Sequence, residues 1–174
     1  PCLQIIPMLI KHLILTAFFT YNFTTSSYSF NGFIQPMETD TFTLGFNQIN
    51  DNNKLKFALY YVDLSNEIYY YPDPTYTNDK NTNIDKSHKY GLDLSDTWFI
   101  NDQWEFYGNY NYVAAIIDKE TENGNNYAGK KLPGVSNHNI KATISYLPNR
   151  NATLVLTQIY RSEAYANNDF NNNF

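Results

Sequence analysis

From Glu38 onward the chain alternates apolar and polar residues with a period of two, the pattern of a strand with one apolar and one polar face. Phe42, Leu44 and Phe46 are interleaved with Thr41, Thr43, Gly45 and Asn47, and the turn-forming run Asp51-Asn52-Asn53 follows. Leu55, Phe57, Leu59 and Tyr61 then share a face, completing a predicted hairpin. A long polar stretch, 71–88, leads to Tyr90, Leu92 and Leu94, and a short turn at Asn101-Asp102-Gln103 leads to Trp104, Phe106, Gly108, Tyr110 and Tyr112. A second polar stretch, 118–137, precedes Ile140, Ala142, Ile144 and Tyr146. Pro148-Asn149-Arg150 makes the third short turn, Leu154 and Leu156 open a last strand, and a third polar segment starts near Ser162. The pattern predicts an all-β fold of six strands, or seven if residues 17–26 supply one.

The connections alternate short, long, short, long, short, long. That order is expected of a transmembrane β-barrel, whose antiparallel strands have short periplasmic turns and long extracellular loops. A soluble β-sandwich shares the period-two pattern, but nothing gathers its long connections at one end. Trp98, Phe99 and Trp104 flank a short turn and Tyr69, Tyr70 and Tyr71 a long loop, where aromatic girdles would fall. Residues 1–33 remain unassigned: 3–19 are mostly apolar but interrupted by Pro7, Lys11 and His12, and lack a basic leader. Both ends of the chain look abrupt, so a piece of a longer protein is expected.

Composition narrows the choices. Mean hydropathy is −0.50, which argues against a helical membrane protein but suits a barrel, where only the lipid-facing half of each strand must be apolar. Twelve Lys+Arg stand against 17 Asp+Glu, without long basic runs, so nucleic acid is not an expected partner. The single cysteine, Cys2, excludes a disulfide framework. His12, His88 and His138 are too far apart in sequence to form a recognisable metal motif, and Asp73, Asp79 and Asp85 fit no calcium loop. Neither a phosphate loop nor a nucleophile elbow occurs, so no enzyme and no cofactor is expected. Recognition is expected of the long loops. Tyr70, Tyr71, Tyr76, Lys80, Lys86 and His88 would come from the first, and Tyr127, Lys130 and Lys131 from the second. Of these, Tyr71, Tyr76, Lys80, His88, Tyr127, Lys130 and Lys131 are the candidate ligand contacts, because tyrosine rings and lysine charges suit an anionic chelate. On the strands, Phe42, Leu44, Phe57, Leu59, Leu92, Phe106, Tyr110, Ile144 and Leu154 are expected to face lipid. Thr43, Asp93, Glu105, Asn109, Lys141 and Thr143 are expected to face a lumen.

Several strings resemble the C-terminal barrel region of TonB-dependent outer-membrane receptors. Ile34-Gln35-Pro36-Met37-Glu38, leading to Gly45, is similar to the family's entry into a barrel strand, and Tyr60 to Ile68 to its aromatic strand exit. Lys89-Tyr90-Gly91-Leu92-Asp93-Leu94 resembles a strand start, with Asp93 where Glu is usual. Tyr107-Gly108-Asn109-Tyr110-Asn111-Tyr112 resembles a further strand. Gly129 to His138 is similar to a "G-x-x-L-P-x-V-P-x-H" return, with Ser136 in place of Pro.

The likeness runs over residues 34–165, and it implies that 34–174 form the C-terminal portion of a barrel of roughly 22 strands. It implies the bacterial outer membrane as location and lipid as surroundings. It also implies uptake of a small-molecule ligand such as an iron–siderophore complex, another metal chelate or cobalamin. The TonB energy-coupling complex would be a partner through an N-terminal plug outside this chain. A passive porin and a soluble β-sandwich binding module remain as alternatives.

Overall fold

The computed structural model describes residues 2–6, 19–22, 27–30, 34–71, 80–122, 125–167 and 169–173. Its strands are β1 (Cys2–Ile6), β2 (Phe19–Asn22), β3 (Ser27–Phe30), β4 (Glu38–Ile49), β5 (Asn53–Tyr71) and β6 (Lys80–Phe99). There follow β7 (Trp104–Lys119), β8 (Thr121–Glu122), β9 (Asn125–Asn126), β10 (His138–Asn149) and β11 (Ala152–Arg161). Seven form one antiparallel sheet in the order β1-β4-β5-β6-β7-β10-β11, so consecutive long strands are neighbours. β2 pairs only with β3, and β8 only with β9. The sheet's seventh strand is thus Cys2–Ile6, rather than one drawn from 17–26, part of which lies outside the described residues.

Cross-strand partners share a face, so the register sorts every side chain. One row runs Phe57–Leu94–Tyr110–Ile140–Tyr160, and the next runs Leu44–Leu59–Leu92–Tyr112–His138. A third runs Trp98–Phe106–Ile144–Leu156. All nine residues expected to face lipid lie on this one apolar face. Thr43, Asp93, Glu105, Asn109, Lys141 and Thr143 lie on the other. Among the described residues, most of the apolar face is left uncovered: Phe42, Leu154 and Leu156 are 57%, 63% and 71% exposed. β11 is exposed along its whole length, since its far edge has no neighbour among the described residues.

The strands outrun the polar boundaries read from sequence. β5 reaches Tyr71 and β6 begins at Lys80, so the first long connection is 72–79 rather than 71–88. In this extension the side-chain phase changes. Leu64 and Ser87 are buried on the polar side of the sheet, and so are Glu67 and Ile84, an odd number of residues further along their strands. The change coincides with Asn66, whose φ of 56° is left-handed, and with a register shift between Lys86 and Ser87. Asn83 secures it by donating from Nδ2 to the Asn66 carbonyl at 2.7 Å and to the Gln35 carbonyl at 3.0 Å.

Candidate functional site

Function in such a sheet divides between its two faces and its loop end. On the apolar face aromatic residues gather at two levels. At the short-turn end, Trp104 stacks on Tyr146 with centroids 4.3 Å apart, beside an exposed Trp98. At the long-loop end, His88 stacks between Tyr61 (5.7 Å) and Tyr90 (6.0 Å), and its Nδ1 lies 2.8 Å from Asp118. His138 stacks on Tyr110 and lies against Tyr112. Ten residues of β6 separate Trp98 from His88, a climb of about 25 Å for a strand tilted about 40°, close to the height of an outer-membrane apolar band.

The opposite face is a polar ladder. Asn111 donates to Asp93 at 2.7 Å, and Asn109 to the Leu94 carbonyl at 3.3 Å. Lys141 lies over the Tyr107 ring and Lys54 over Phe99. Tyr60 donates to the Tyr112 carbonyl across Gly91, where a Cβ would sit 2.0 Å from that carbonyl oxygen. Only glycine lets the tyrosine cross at this point.

At the loop end the polar face carries the molecule's small apolar core. Ile84, Ala115 and Ile117 of the sheet are covered by Leu132 and Phe170, with Tyr69, Tyr127 and Val135 packed around them. Two connections make this cap. Residues 129–132 extend the ladder beyond β10, with Leu132 N–H donating to Ala115 and Ile117 N–H to Lys130. Asn172 then brackets Lys131, its Oδ1 accepting from the backbone N–H at 2.7 Å and its Nδ2 donating to the carbonyl at 2.9 Å. Beneath the cap, buried Glu67 accepts from Lys89 and from Ser87.

The candidate ligand contacts disperse over this geometry. Tyr76 and the side chains of Tyr71 and Lys80 lie outside the described residues. His88 is not in a loop at all: it is a β6 residue on the apolar face, because the polar run hides the first half of a strand. Tyr127 is half-buried against Phe170 at 5.3 Å, and Lys130 donates to the Asn171 carbonyl at 3.1 Å. Lys131 is bridged to Ile116, which places it on the apolar side of the sheet. Among the candidates whose side chains are described, then, Tyr127 and Lys130 are brought together at the cap. Glu67, Ser87, Lys89 and Phe170 are the residues there that sequence reasoning missed. Outside the strands' apolar band, the hydrogen bond from Lys119 to Asp85 (2.9 Å) raises the lysine above its ordinary value. Among the described residues no group of three or more His, Cys, Asp or Glu is placed to hold a metal ion.

The family described as "TonB dependent receptor-like, beta-barrel" matches residues 15–174. The chain therefore belongs to the TonB-dependent receptor-like β-barrel family. Among solved structures it is similar to the copper transporter OprC, with a TM-score of 0.58, 13% identity, and 72% of this chain covered. It is also similar to the siderophore receptor PiuA from Acinetobacter baumannii (TM-score 0.52, 21% identity, 75% covered). A third is the ferric-catecholate import receptor Fiu from K12 E. coli (TM-score 0.51, 20% identity, 75% covered). The chain spans 18% of the first of these structures and 19% of the other two. No curated protein matches it. Together with the sheet topology, these likenesses define the fold as a partial TonB-dependent receptor barrel, all-β and antiparallel.

Proposed function

We propose that this chain is part of the wall and outer mouth of a bacterial outer-membrane receptor. That receptor takes up a scarce small molecule, of the iron–siderophore or cobalamin kind, using energy delivered through TonB. The observation that carries the reading is the two-faced sheet. A continuous apolar face, bounded by aromatic rings about 25 Å apart, backs a face of Asn, Asp, Thr and Lys, as a wall between lipid and lumen requires. Membership of the receptor family and neighbours whose names specify copper, siderophore and ferric-catecholate import support a metal chelate as the ligand class. The wall catalyses nothing. Its contribution is to hold the cap over the lumen with Tyr127 and Lys130 at the mouth, while a plug domain and the TonB complex act from elsewhere in the receptor. The test is uptake of radiolabelled ferric chelates and cobalamin by cells expressing the whole receptor, with and without a functional TonB. Accumulation that needs TonB is the expected result. Accumulation indifferent to TonB would convert the protein into a passive channel, and recovery in the soluble fraction would end the membrane reading.

A further inference from the structure

One carboxylate stands within the apolar face. Asp96 pairs with Leu55 on one side and Gly108 on the other, and its row continues to Gln48 and, through Ala142, to Gln158. The rows on either side are those of Leu94 and Trp98, so the register fixes Asp96 among the residues turned towards lipid. Among the described residues it is the one carboxylate on this face between Trp98 and Tyr90. Trp98 lies two residues away on the same strand, a drop of about 5 Å at a tilt of about 40°. Tryptophan rings mark headgroup level, so Asp96 sits just inside the lower edge of the apolar band, at the short-turn end.

Its polar neighbours lead in one direction. Asn53, which pairs with Trp98, places Nδ2 3.5 Å from Asp96 Oδ2, and Asn50 donates from Nδ2 to Asn53 Oδ1 at 2.9 Å. The three side chains form a polar seam that climbs from the β4–β5 turn into the apolar band. Its upper end is unsatisfied: Asp96 Oδ1 is buried and meets no donor among the described residues. An acceptor in that state is costly in protein and more so against lipid. Beside it the wall is thin in side chains, for Gly108 and Ala142 follow along the row, and a Cβ on Gly108 would meet only the Phe106 ring, at 3.3 Å. A small cationic group with N–H donors fits such a place. A primary ammonium carries enough protons to serve both carboxylate oxygens, whereas a quaternary one carries none. Asn50 and Asn53 each keep a second amide proton for a phosphate oxygen.

We propose that this seam holds the headgroup of a primary-ammonium phospholipid in the periplasmic leaflet. The ammonium sits on the Asp96 carboxylate, the phosphate lies against the amides of Asn53 and Asn50, and rotation of the Asp96 side chain brings Oδ1 out to the ammonium. The inference rests on the membrane placement proposed above. It gives a carboxylate on the lipid side of the wall a partner that the protein itself does not supply.

The test uses the whole receptor, wild type, Asp96→Asn and Asp96→Glu, in phosphatidylcholine nanodiscs containing equal small amounts of phosphatidylethanolamine and phosphatidylglycerol. Retained lipid is counted by native mass spectrometry. A nitroxide at Leu44, read by oxygen accessibility, reports independently whether the apolar face meets lipid. The expected result is a lipid-exposed Leu44 and a wild type that retains phosphatidylethanolamine over both other lipids. Asp96→Asn, equal in shape but uncharged, should weaken that preference roughly tenfold, and Asp96→Glu should keep most of it. An exposed Leu44 with a preference that survives in Asp96→Asn, or with none over phosphatidylcholine in the wild type, overturns the headgroup site and leaves the membrane wall standing. A Leu44 shielded from lipid overturns both. Displacement of the bound lipid by an equal concentration of free phosphoethanolamine overturns the membrane source.

Discussion

Gly91 shows how little room the inner face leaves. A methyl group there would meet the Tyr112 carbonyl at 2.0 Å and the Tyr60 hydroxyl at 2.5 Å, so Gly91→Ala must push either a backbone or the crossing ring aside. We expect a loss of about 1–3 kcal/mol, read as a lower urea midpoint for the refolded receptor in micelles. An unchanged midpoint would show that Tyr60 does not cross there in solution. Gly129 provides the contrast: its φ is 82° but nothing lies within 4 Å of an added Cβ, so Gly129→Ala carries only the left-handed backbone cost of about 1 kcal/mol. Glu67 is the other sensitive position. Glu67→Ala would strand Lys89 and the fully buried Ser87, at about 1–3 kcal/mol in the same titration. Glu67→Gln keeps an acceptor for Ser87 and should lose less, and equal losses would show that the hydrogen bond to Ser87 contributes nothing.

At the scale of the strand, the two faces should respond differently to charge. An arginine on the lipid face at the bilayer midplane costs about 2–4 kcal/mol, and a lumenal one little. Leu92→Arg and Leu59→Arg are therefore expected to lower the folded yield in bilayers, with Thr43→Arg and Thr143→Arg folding as wild type. The reverse order would invert the sheet in the membrane. This much of the molecule was legible in its sequence, because a wall wet on one face and apolar on the other writes a period of two. The upper ends of β5 and β6 were not. There both faces meet water or loop, so Lys80 to Lys86 read as a polar connection although all of them but Asp85 pair with β5. His88 was misplaced for that reason. Phe170 was hidden differently. It sits in an Asn-rich run, and the residues it packs on, Ile84, Ile117 and Leu132, are distant in the chain.

Among the described residues the sheet has two open edges, β1 and β11, and a broad apolar face with no cover. In lipid each unpaired backbone group at such an edge costs several kcal/mol, and in water the edges template pairing with other chains. Residues 1–174 alone are therefore expected to aggregate without detergent or partner strands, while the complete barrel folds. Size-exclusion chromatography with circular dichroism on the isolated chain is the measurement. A sharp monomer peak with a cooperative β-type melt would hand the molecule to the soluble sandwich.

The left-handed residue at Asn66 changes how any survey of β5 must be read. Position-by-position replacement along the strand will give a rhythm of tolerated and intolerant sites, with even positions such as Tyr60, Val62 and Leu64 turned inward. Past Asn66 that rhythm skips a beat, and the inward positions become the odd ones, Glu67 and Tyr69. An epitope tag or a dye meant for the outside of the receptor, sited by counting upward from the membrane in steps of two, would be buried against Phe170 instead. Asn66→Gly would keep the skip. Replacement by valine, whose branched side chain resists positive φ, would favour restoring the count and would turn Tyr69 out of the core.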